Sequence, residues 1–333
     1  MPERKSITFR YRVVIYDGQF TPAQLADPYK RFAAESATRQ PYWNYMNTSN
    51  RRGFLSAAAV AAAGAFPGGA QPPPGKGGFR LGSATYNLLQ GFDVETIIKT
   101  LEAVGFEAVE LRTSHKHGVE PSIGADERAR IRRRFESGKV RLLSYGTTCR
   151  FQSPDPAERK QQLEIAKQFV DLAHDTGALG IKLQPMGLPP NVPQETSIAY
   201  FGASMRELGD YGAGKKVEIW MEVHGQGTQN PPVAAALLKA AGHENVGACW
   251  NCNPTDVQNG SVKESFALVG RHIRNVHLHE LSDDTYPFRE LFALLQQSGY
   301  NRYTLAEVAE SKEPERYMRN FKALWTELKR SCG

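Results

Sequence analysis

Cysteine is scarce, with four residues (Cys149, Cys249, Cys252 and Cys332) in a chain of 333. So few cannot form a disulfide framework for a body of this size. Cys249 and Cys252 make a lone CxxC pair inside a strand pattern, with no second pair to complete a zinc site, so redox or zinc chemistry is not expected there. Long apolar runs are also missing. The longest, Phe54 to Phe66, is too short to span a bilayer as a permanent helix. No G-x-G-x-x-G follows the first strand candidate, which weighs against a doubly wound dinucleotide-binding sheet.

Basic excess is absent from most of the chain. The formal charge is +6, but residues 1–70 hold nine Lys/Arg against four Asp/Glu, leaving 32 against 31 in the remainder. A nearly neutral body lacks the electrostatic footprint of a nucleic-acid binder, so no nucleic-acid partner is expected. Hydrophobic residues make up 41% and aromatics 10%, enough for a sizeable core.

The basic part reads as a leader. Arg51-Arg52-Gly53-Phe54-Leu55 and the Ala-rich run after it resemble a twin-arginine export signal, with Gly68-Gly69-Ala70 as a cleavage site before Gln71. Met46 stands where such a leader starts. Residues 1–45 are then an over-extended or disordered preface, 46–70 the signal, 71–78 a flexible linker and 79–333 the folded body. The expected partner is the twin-arginine export machinery, and the expected location is periplasmic or otherwise exported, soluble after cleavage.

From Phe79 onward, short apolar runs alternate with amphipathic stretches. Strands are expected near Phe79, Phe106, Val140, Ala178, Val217, Val246, Ile273 and Tyr303. Helices fill the gaps. Asp93 caps one in which Ile97, Leu101 and Val104 face inward before Gly105. Another buries Leu163, Ala166, Phe169, Val170 and Ala173 before Gly177. A third starts at Asn230 and Pro231 and stops at Gly242. Eight such units predict an α/β fold, a single-domain (β/α)8 TIM barrel, with a doubly wound open sheet as the runner-up.

In such barrels the chemistry sits at the C-terminal ends of the strands. Here those ends are polar. "VEIWMEVHG" closes on Glu222 and His224, "ACWNCNPTD" carries Asn251 with Asn253 and Asp256 beyond, "NVHLHE" sets His277 and His279 on one face, and "TLAEVAE" ends near Glu307. Each residue alone has a bland reading as a solvated or hydrogen-bonded side chain. Four successive strand ends together make an oxygen- and nitrogen-rich set suited to Mn²⁺, Co²⁺, Mg²⁺ or Zn²⁺. Glu110 in the second strand, as a substrate contact or a barrel anchor, and Lys182 in the fourth, as an oxyanion partner or a solvated lysine, are secondary candidates. Trp250 is turned toward the helices by alternation and belongs to the core.

On "MEVHG", "WNCNP", "NVHLHE" and "LAEVAE", the region from about Phe79 to Cys332 resembles the xylose isomerase-like family of sugar isomerases and epimerases. The resemblance implies one divalent metal held by Glu222, Asn251, His277 and Glu307, and proton transfer by Glu222 and Glu307 through an enediolate of a sugar or polyol ketone. His224 and His279, on the same rim, are candidates to orient substrate hydroxyls or support the ligands. Asn251 departs from the family's usual Asp and removes one negative charge from the ligand set. A metal-free sugar-binding barrel and a keto-sugar lyase or dehydratase are the alternatives. A nuclease of the endonuclease IV type needs more ligands than eight histidines and these strand ends supply. The sequence leaves a homo-oligomer open.

Overall fold

All eight expected runs become strands: β1 (Arg80–Ala84), β2 (Ala108–Arg112), β3 (Arg141–Gly146), β4 (Gly180–Leu183), β5 (Glu218–Glu222), β6 (Val246–Trp250), β7 (Ile273–Leu278) and β8 (Tyr303–Ala306). The structure, a computed structural model, describes residues 78–332. The expected preface, export signal and most of the linker lie outside the described residues. Each strand pairs parallel with the next. The ring closes where Arg80 to Ser83 of β1 pair with Tyr303 to Ala306 of β8.

Parallel strands need covering on both faces, and the helices supply the outer layer. They are α1 (Val94–Val104), α2 (Ala125–Glu136), α3 (Pro156–Thr176), α4 (Gln194–Lys215), α5 (Pro231–Ala241), α6 (Lys263–Val269), α7 (Phe288–Gln297) and α8 (Pro314–Arg330). Local sequence fixes several of their ends. The Asp93 carboxylate accepts from the Thr96 amide at 2.8 Å to start α1, and Gly105 ends it at φ +70°. The inward faces of α1 and α3 are the ones the sequence pattern predicts. Asn230 does sit at the start of α5, but its side chain accepts no capping bond; Pro231, which has no N–H to satisfy, opens that helix instead.

Two layers of core result. Between strands and helices lies the large apolar cluster that includes Trp250, which packs on Phe266 at 5.9 Å and faces the helices as alternation requires. A smaller cluster of Ala108, Leu143, Trp220, Tyr303 and Leu305 draws on β2, β3, β5 and β8. Register slips twice, between Val109 and Glu110 against β3 and between Ala248 and Cys249 against β7. All four cysteines are free thiols, and burial pushes those of Cys149 and Cys249 up to about 11. Among the described residues, no helix is long and apolar enough to cross a membrane.

Candidate metal centre

Glu222 ends β5, His277 lies in β7, and Glu307 follows β8. One donor atom from each falls within 4.8 Å of the others. His277 Nδ1 sits 3.4 Å from Glu222 Oε1 and 3.3 Å from Glu307 Oε2, yet neither His277 nitrogen makes an aligned hydrogen bond. Buried polar atoms are nearly always satisfied, so an orphaned ring nitrogen between two carboxylates needs an explanation. A cation bound by all three groups supplies one.

Asn251, one residue beyond β6, contributes a second orphan. Its Oδ1 is buried and unpartnered, while its Nδ2 lies 3.3 Å from His224 Nδ1. An amide oxygen is a suitable ligand for a hard divalent ion. The residues present therefore fit the metal that the sequence pattern implies.

Two further groups underlie the cluster. Lys182 is buried, not solvated, and it pairs with protein carboxylates: Nζ donates to Glu222 Oε2 at 2.8 Å and lies 3.7 Å from Glu110 Oε1. Burial alone would depress the ammonium, but Glu222, Glu110 and Glu307 outweigh it and hold Lys182 firmly charged. Glu110 is an anchor beneath the site. It accepts from Ser144 at 2.8 Å and from Asn275 at 3.4 Å, and its Oε1 lies 3.3 Å from His277 Nε2. Although burial raises a carboxyl, His277 and Lys182 keep Glu110 ionised below its ordinary value. A side chain at Gly146 would put its Cβ 2.8 Å from Glu110 Oε1, so a substitution there would push that carboxylate out of place.

Glu110, Glu222 and Glu307 carry three negative charges and Lys182 one positive; against the lowering effect of burial, Cys249, Glu307 and Glu110 hold the His277 ring well above its ordinary value, so a bound divalent ion would take the place of the ring proton. The two glutamates of the cluster differ in access. Glu222 is 1% exposed in its side chain and tied to Lys182, whereas Glu307 is 14% exposed and lies 3.5 Å from His279 Nε2. Against the raising effect of burial, His277 and then His279 and Lys182 hold Glu307 well below the usual carboxylate range. His279 is the more open group, at 42%.

The structure thus brings Glu222, His277 and Glu307 together, sets His279 on Glu307, and joins His224 to Asn251. Glu110 and Lys182 lie under the cluster. Sequence reasoning passed over Ser144 and Asn275. Asn275 was findable, because it precedes His277 and His279 at the same two-residue spacing. Ser144 was not, because the register slip in β2 shifts which β3 residue meets Glu110.

A family model described as "Xylose isomerase-like TIM barrel" matches residues 98–326. No curated protein sequence matches the chain. Among solved structures, the chain is similar to the IOLI protein with a bound zinc atom, at 14% identity and TM-score 0.65, over 77% of this chain and 99% of that one. It is similar to D-psicose 3-epimerase with D-tagatose from Clostridium cellulolyticum H10, at 14% identity and TM-score 0.64, over 76% and 99%. It is also similar to a xylose isomerase-like TIM barrel protein from Mycobacterium smegmatis in complex with magnesium, at 15% identity and TM-score 0.58, over 77% and 98%.

Proposed function

Because the chain belongs to the xylose isomerase-like TIM barrel family, we propose that it is a divalent-metal-dependent isomerase or epimerase of a sugar or polyol ketone. The observation that carries this reading is the meeting of Glu222, His277 and Glu307 donors within 4.8 Å, with His277 Nδ1 and Asn251 Oδ1 both orphaned. Glu222, Asn251, His277 and Glu307 would hold the ion. Its chemistry would be that of a Lewis acid, raising the acidity of the C–H next to a carbonyl.

The chain's own residues do the proton work. Glu307, ionised and facing the more open side of the cluster, removes the proton beside the carbonyl and leaves an enediolate. Glu307 can return the proton it took to the enediolate, whereas Glu222, kept as a carboxylate chiefly by Lys182 in spite of its burial, acts as the second member of the acid–base pair only after taking a proton from a substrate hydroxyl or solvent. Lys182 is committed to Glu222 and Glu110 and orients them without meeting the substrate. His279 beside Glu307 and His224 beside Asn251 are the groups placed to contact substrate hydroxyls. The related sugar epimerase and the zinc- and magnesium-bound neighbours support the reading.

The test is solvent exchange. Protein purified without chelator carries close to one divalent ion per chain, and with a panel of ketoses in D₂O it places deuterium on a carbon adjacent to the carbonyl. Chelation abolishes the exchange and Mn²⁺ restores it. Absence of both bound metal and exchange across the panel refutes the proposal.

A further inference from the structure

Among the four ligands proposed above, one can face either way. Asn251 offers an oxygen or an NH₂, and only the oxygen can ligate. Three hydrogen bonds decide which. Asn253 is buried and lies 2.6 Å from the backbone carbonyl of Val223, which only accepts, so its Nδ2 must occupy that position. Its Oδ1 therefore faces Asn251 at 3.5 Å and calls for a donor there, which is Asn251 Nδ2. The same Nδ2 also lies 3.3 Å from His224 Nδ1. With the amide nitrogen claimed on two sides, the Asn251 oxygen is left over, and it is the buried atom without a partner.

The loop that carries Asn253 is itself held. The Asn253 amide donates to Asp256 Oδ2 at 2.8 Å, and the Tyr286 hydroxyl donates to the same oxygen at 3.1 Å. Pro254 and the short turn to Asp256 follow directly. Asn253 is thus fixed from its backbone as well as its side chain.

We infer that Asn253 is a positioning residue that reads the Val223 carbonyl and turns the Asn251 amide so that its oxygen ligates the metal. The inference rests on the metal reading above. It accounts for how the cluster keeps a fourth ligand with an amide in place of the family's Asp: a carboxylate has two equivalent oxygens and needs no such guide, whereas an amide does. The pairing also assigns His224 as an acceptor at Nδ1, which leaves Nε2 as its N–H when neutral.

The experiment is a double-substitution cycle read by Mn²⁺ calorimetry, with thermal melts of the metal-free chains as the folding control. In the parent, Asn253→Ala weakens Mn²⁺ binding by roughly 10- to 100-fold, the range seen when groups supporting a ligand are removed. In an Asn251→Asp background the same change leaves affinity within the roughly twofold scatter of independent sites, or tightens it. Should Asn253→Ala fail to fold, Asn253→Asp replaces it, since a carboxylate cannot donate to Val223. Equal losses in both backgrounds, or none in either while the parent binds Mn²⁺, overturn the inference alone. If neither the parent nor the Asn251→Asp chain binds Mn²⁺, the metal reading falls and this inference falls with it.

Discussion

Lys182 Nζ lies 2.8 Å from Glu222 Oε2, and both side chains are almost wholly buried. Among the described residues, that ammonium and the His277 ring are the groups offsetting the charge of Glu110, Glu222 and Glu307 within the cluster. Removing one partner of a buried ion pair leaves an uncompensated charge, which costs about 3–5 kcal/mol. Lys182→Met should therefore lower the melting temperature of the metal-free protein by roughly 6–15 °C for a chain of this size. Mn²⁺ should raise that temperature more in the variant than in the parent, because the ion answers the extra negative charge. Coincident melts of parent and variant would show that the pair carries no such role.

The exposure difference between the two glutamates yields a second prediction. Glu307→Gln keeps shape and an oxygen donor but cannot take a proton. At saturating Mn²⁺, kcat for ketose exchange should fall by roughly 10²- to 10⁴-fold, the usual worth of a general base. The metal-free variant should also melt somewhat below the parent, because the carboxylate held by His277, His279 and Lys182 is lost, so turnover is compared at a temperature where both are folded. Turnover undiminished in this variant would remove Glu307 from the proton transfer.

The expected export leader gives a third. Export and cleavage after Ala70 would yield a native protein whose first residue is Gln71. Intact-mass analysis of protein from its natural host should find that terminus. A mature chain that retains Tyr16 would dismiss both the over-extended start and the export reading.

The barrel was legible because its signals are local. Alternation in "VEIWMEVHG" and the Asp93 and Gly105 stops of α1 depend on neighbouring residues alone, and they hold in the structure. The four strand ends were legible for the same reason, since period two puts Glu222 and His224, or His277 and His279, on one side. What stayed hidden depends on partners distant in sequence. Lys182 reads as an ordinary strand-end lysine until Glu222, forty residues later, is seen to meet it. Glu110 likewise gains its meaning only from His277, five strands further along the barrel. The orientation of Asn251 needs Val223, Asn253 and His224 together.

Asp256 supplies the last prediction, and its sign can be worked out. Burial is the main cause that pushes its carboxyl up, against hydrogen bonds from Tyr286 and the Asn253 amide, to about 7 from an ordinary 3.8. Below about pH 4 the group is protonated in both the folded and unfolded chain, and its contribution is fully present. Between about 4 and 7 the unfolded chain releases the proton while the folded chain keeps it, so the fold loses stability as pH rises. Three units of separation correspond to about 4 kcal/mol at most. The Asp256→Asn substitution keeps an oxygen for the Tyr286 hydroxyl and the Asn253 amide but cannot ionise. Thermal melts from pH 4 to 8 should show the parent falling away from the variant across that window and running parallel to it above. Parallel curves throughout would mean that Asp256 ionises as it does in water, and that burial at the foot of the Asn253 loop carries no such cost.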